Sequence, residues 1–161
     1  MYRETVPVFR HYLGKISEIV EKTGSASPWP DALTARIADS FPAGQHFATA
    51  AGFALRTTCP LCGREIPNLP QSLAARLAVV RATLGAMKPA EFDGSEDLVI
   101  RHTAGFADLE QTGRDFALLF GLPNFFFHMT MGYASLRAAG VPLGKGDFDG
   151  FHGYPADFHF D

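Results

Sequence analysis

The sequence predicts an all-α protein, a four-helix bundle with a short β-hairpin in the crossover before its last helix. Three observations lead there. Apolar residues recur at spacings of three and four in long segments, the mark of helices with one buried face. Proline and glycine clusters divide the chain into four such segments. One stretch alone, after Asp93-Gly94, alternates apolar and polar residues in the manner of strands.

The first helix carries its stripe on Val6, Phe9, Leu13, Ile16 and Val20. Pro7 is tolerated near a helix N-terminus, where an N–H is unneeded, so this helix is expected to begin around Glu4. Gly24 to Pro30 reads as a link, and Asp31 as the N-cap of a short helical piece through Ala38. Beyond Phe41-Pro42, the alanine-rich stretch Ala43 to Thr57 forms a second long helix that Thr58-Cys59-Pro60 would end. Leu73, Leu77, Val80, Leu84 and Met87 define the third, framed by Pro70 and Pro89. The hairpin follows, with Leu98 to Thr103 as its first strand and a turn at Ala104-Gly105. Thr112, three residues before Asp115, caps the fourth helix, which runs to Ala139 and stops at Gly140. Pro123 interrupts it, so the helix kinks or restarts at Gly121-Leu122-Pro123. Four helices with one long crossover make a bundle.

On a helical wheel the fourth helix is apolar nearly all round. Phe116, Phe120, Phe127, Met131 and Ala134 occupy one side, and Leu118, Leu122, Phe125, Met129 and Leu136 the other. Such a helix is central to its bundle or is covered by another subunit, which argues for a homodimer. Between the two sides runs a small or polar stripe, Ala117, Gly121, Asn124, His128, Gly132 and Ser135, leaving room for a ligand or for a close neighbouring helix. Asn124 and His128, four apart, share one face and point the same way.

Composition bounds the rest. The 161 residues suit one domain, here residues 1–150 with a tail over 151–161. Apolar residues make up 47%, charged residues 19%, and the net charge is -3. The 14 Lys and Arg are scattered, so no nucleic-acid surface is expected. Arg3 and Glu4 stand where a leader would need apolar residues, and no apolar run approaches the ~18 residues of a membrane span, so a cytoplasmic location is expected. No serine elbow, glycine-rich phosphate loop or paired-carboxylate motif occurs, which leaves hydrolase, kinase and glycosidase readings without support.

Several segments together resemble a known family. They are Met1-Tyr2 with Val6-Pro7-Val8-Phe9, Leu33 to Pro42, the helix start Thr112 to Phe116, Leu122-Pro123-Asn124-Phe125-Phe126-Phe127-His128, Tyr133, Leu136-Arg137, and Gly140 to Lys145. In this order, over residues 1 to about 150, they are similar to a bacterial domain of unknown function in the DinB/YfiT-like superfamily. The resemblance implies an up-down four-helix bundle, often dimeric. Better studied relatives hold a divalent metal, zinc or nickel, on three histidines, one from the second helix and an His-x-x-x-His pair on the last. Metal-dependent transferases and isomerases are among their activities. Carried onto this chain, His128 matches one histidine of the pair, Asn124 stands in place of the other, and His46 is the histidine of the second helix. Asparagine is a weak neutral ligand, so the metal site is expected to be degenerate or absent.

Three readings of the site follow. His46 and His128 hold a catalytic metal; or His128 is a buried histidine bonded to Asn124 or to a neighbouring helix; or it acts without metal, as a general base or anchor in a small-molecule pocket that includes His46, Asn124, Met131 and Ser135. Burial would keep such a histidine neutral. A separate motif, Cys59-Pro60-Leu61-Cys62-Gly63, has the form of half a zinc ribbon, and His152 and His159 of the tail would complete a structural Cys2His2 zinc site. A redox couple is less well supported, because the motif follows a helix instead of opening one. His11 and His102 are expected on exposed faces without a role, and the aromatic tail (Phe148, Phe151, Tyr154, Phe158, Phe160) is expected to pack along the bundle or a partner.

Overall fold

A computed structural model describes residues 1–23, 28–29 and 31–155. Four long helical runs pack around one core, in the order α1 (Tyr2–Lys22), α2 (Ala43–Leu61), α3 (Leu73–Ala86), β1 (Val99–Ala104), β2 (Ala107–Thr112), and a final run. That run is α4 (Gly113–Asp115), a π-helical segment (Phe116–Gly121) and α5 (Leu122–Ala138), and a short α6 (Lys145–Asp149) follows. The expected bundle with its crossover hairpin is what the chain forms.

The stripe of α1 is buried as its spacing demands: Val6, Phe9, Leu13 and Ile16 are fully enclosed, joined by Ile19. The helix begins two residues earlier than expected, so Pro7 lies in its second turn. Its missing N–H deprives the Arg3 carbonyl of a partner, and both residues are exposed, where water serves instead. Past the link, only Ala32–Thr34 is helical, a single 3-10 turn in place of the piece expected through Ala38; Asp31 makes no side-chain cap there.

Helix α2 also overruns its expected end, continuing through Cys59-Pro60 to Leu61. Pro60 costs only the bond to Arg56, whose side chain is exposed, while burial of Cys59 and Leu61 favours the extra turn. Helix α3 buries Leu77, Val80 and Leu84, with Met87 enclosed just beyond it.

The hairpin pairs Val99 with Thr112 through Ala104 with Ala107, turning at Gly105-Phe106, where Gly105 adopts φ 61°. Alternation gives it two faces. Ile100 and His102 look inward, whereas Arg101–Glu110 and Thr103–Asp108 pair across the solvent side at 2.9 Å each. Its end delivers the final helix: the Asp115 N–H donates to Thr112 Oγ1 at 3.1 Å, the expected N-cap. The π register lies immediately before Pro123, which has no N–H for an α-helical bond to Leu119, and an α-helix resumes at Leu122. Gly140, at φ 84°, ends the run.

The small stripe of this last helix turns out to be a seam against α2. A Cβ on Gly121 would lie 2.3 Å from Thr57 Oγ1, and one on Gly132 would lie 2.7 Å from a ring carbon of Phe47. These contacts, with 47 opposite 132 and 57 opposite 121, also show that the two helices run antiparallel. Of the two apolar sides, Phe125, Met129 and Leu136 of one and Phe116 of the other are buried, but Phe127 is 57% exposed; Leu119, on neither side, is 69% exposed. On the side of Phe116 and Phe127, burial thus lapses at Phe127 alone in the single chain. No helix among the described residues is long and apolar enough to cross a membrane.

Candidate functional site

Antiparallel packing of α2 on α5 places His46 opposite His128. Their Nδ1 atoms stand 3.0 Å apart, so one ring donates an N–H and the other accepts with its lone pair. His46 is 2% exposed, and its Nε2 has no hydrogen-bond partner. Aromatic rings surround the pair. Phe53 and Phe41 lie nearly parallel to the His128 ring, with centroids 5.7 and 6.3 Å away, and Phe127 meets it edge-on at 5.2 Å.

Burial holds the imidazoles neutral. It lowers the pKa of His46, and for His128 burial, assisted by the nearby His46, pushes the value down to about 4. A neutral pair at physiological pH offers both a donor and an acceptor to a third molecule, the chemistry of a general base or hydrogen-bonding anchor.

The other expected site residues are placed differently. Asn124 does not bond to His128; its Nδ2 donates to the Phe120 carbonyl at 2.8 Å, one turn back. Of the two partners expected for His128, the neighbouring helix provides the actual one. Met131 is half-buried three residues beyond His128, while Ser135 is fully enclosed in the core with its Oγ unpartnered.

The metal donor set can be tested against this geometry. The pair supplies two imidazole nitrogens, and Asn124, whose Nδ2 donates to the Phe120 carbonyl, adds at most a weak neutral amide oxygen. Among the described residues, no three His, Cys, Asp or Glu side chains gather into a group that could hold a metal ion. These residues do not fit a three-histidine centre.

At the far end of α2, Cys59 is buried in the last turn and Cys62 stands at its C-cap, the Cys62 thiol donating to the Cys59 carbonyl at 3.5 Å. Burial pushes the Cys59 thiol up to about 11 and raises that of Cys62 as well. The motif is thus a helix terminus rather than the tight turn of a zinc ribbon. Arg64, just past it, clamps Glu91 with bonds of 2.7 and 2.9 Å and also reaches the Ala86 carbonyl. His152 pairs with the Asp149 carboxylate, and His159, like Phe158 and Phe160, lies outside the described residues.

Two histidines expected on exposed faces are half-buried. His11 bonds the Asp149 carbonyl at 2.7 Å and stacks on Phe151, a tail ring in contact with α1; Phe151 and Tyr154 themselves stay exposed. His102 packs against Phe116 and Phe120, which the inward face of the hairpin requires. Sequence reading missed the roles of Phe41 and Phe53; the aromatic residue seven positions after His46 on the same helix was the available signal.

A family model described as Domain of unknown function (DUF1993) matches residues 1–149. This chain is a DUF1993 protein. Among solved structures, the DUF1993 chain is similar to a DinB family member protein from Shewanella denitrificans. The TM-score is 0.83 at 27% identity, over 96% of this chain and 94% of that one. No curated protein matches it. The DUF1993 fold here is accordingly a DinB-like helical bundle.

Proposed function

We propose that this DinB-like protein binds a small, largely apolar molecule at the His46–His128 pair, with the superfamily's three-histidine metal site degenerate. The observation that carries this reading is the 3.0 Å imidazole pair inside its phenylalanine surround, with His46 Nε2 left without a partner. Buried polar atoms are normally satisfied, and an orphaned ring nitrogen in an apolar surround is explained by a ligand that completes it. His128 anchors the ligand and takes a proton from it if a reaction follows. A second copy of the chain covering Leu119 and Phe127 is favoured by the exposure of these two large apolar side chains on the last helical run.

Phenol, an apolar ring with one hydroxyl, is the probe. Its addition should shift the imidazole NMR signals of His46 and His128, and His128→Ala should abolish binding. Elemental analysis of untagged protein, set beside His128→Ala and a Cys59→Ser, Cys62→Ser double variant, tests the competing readings. Stoichiometric zinc or nickel lost only on changing His128 would overturn this reading in favour of a metal-dependent transferase or isomerase. Loss only in the double variant would instead assign a structural metal to the cysteines.

A further inference from the structure

Helix α2 and the segment from Phe116 to Leu136 carry a single formally charged side chain between them, Arg56. Its guanidinium carbon lies 4.5 Å above the centre of the Phe53 ring. The same ring lies 5.7 Å from the ring of His128. The cation and the imidazole pair are thus no further apart than the sum of those two distances. Phe53 packs against both. Arg56 is exposed and, among the described residues, has no carboxylate partner. The inward face of the adjoining hairpin, which carries Ile100, His102, Leu109 and Gln111, adds no acid.

A lone cation on an aromatic ring beside the imidazole pair selects the charge of what binds there. We infer that the ligand of this site is an anion, a small aromatic or apolar carboxylate or phosphate whose charged group pairs with Arg56 while its body lies along the seam toward His46 and His128. The inference rests on the binding function proposed above and names its substrate class. Arginine suits such a ligand, because its planar fork meets a carboxylate or phosphate with two bonds while its face stays on the phenylalanine. The neutral histidines then serve the opposite end of the molecule, where a positive pair would compete for the anion.

Benzoate and its neutral isostere benzamide test the charge selection, followed by the imidazole signals of His46 and His128 in two-dimensional NMR. Benzoate should bind about tenfold or more tightly than benzamide, a margin that falls with added salt. Arg56→Gln, at an exposed position, should remove that margin by bringing benzoate binding down to that of benzamide. Equal binding of the two probes, or a benzoate preference that survives Arg56→Gln, overturns the anion assignment and leaves the pocket reading standing. If neither probe nor phenol moves the histidine signals, the pocket reading fails and this inference fails with it. Phenylphosphonate, compared with benzoate, separates a phosphate from a carboxylate preference.

Discussion

Acid should destabilise this protein through His128 in a defined window. The folded state holds His128 neutral, with a pKa of about 4, because charging it would strip water from a cation beside Phe41, Phe53 and a second imidazole. The unfolded chain protonates it near the ordinary imidazole value of about 6.5. Protons therefore favour the unfolded state between those two values. The stabilising contribution is intact above about pH 6.5 and is lost as pH falls toward about 4, below which the loss is complete. Each unit of displacement is worth about 1.4 kcal/mol, and a half-buried ring retains only part of that. The expected loss between pH 7.5 and pH 5 is about 1 to 2 kcal/mol, or a few degrees in Tm for a chain of this size. Urea unfolding at a series of pH values measures it, with His128→Gln as the reference that cannot titrate. Carboxylates held down in the folded state, Asp147 and Asp149 among them, act at lower pH and cancel in the comparison. Parallel stability curves for the two proteins between pH 7.5 and 5 would refute the account of a buried neutral pair.

Two other outcomes are expected. Gly132→Ala and Gly121→Ala should each cost about 1 to 3 kcal/mol, because the new methyl meets Phe47 or Thr57 at less than contact distance, whereas Gly52→Ala, with open space around it, should be neutral or stabilising; denaturant midpoints check this. Cys62 should react slowly with a disulfide reagent at pH 7.5 and Cys59 only on unfolding, since both thiols are raised by burial and Cys59 is fully enclosed; timed mass spectrometry distinguishes the two sites.

The bundle was legible because its signals are local and repeated. Leu77, Val80 and Leu84 had to face one way, Thr112 had to cap, and Pro123 had to break the α register. Errors arose where burial outweighed a local breaker. Pro60 and Pro7 read as helix limits, yet each costs one backbone bond at an exposed residue, a smaller cost than the burial gained by extending the helix. The short α6, Lys145–Asp149, went unread because five residues are too few to show a helical period.

The candidate site was half legible for a different reason. Asn124 and His128 share a helix, so their spacing fixed their common direction, but spacing says nothing about which neighbour each selects. That choice was made between helices. Asn124 is short enough to bond back to the carbonyl of Phe120, which relieves it of any need for His128. His128, longer and aromatic, reaches the seam, where Gly121 and Gly132 let α2 approach closely enough to bring His46 within 3.0 Å. The glycines thus do more than close the core: they set the interhelical distance at which two neutral imidazoles meet. Widening that seam at Gly132 should weaken the histidine contact along with the fold.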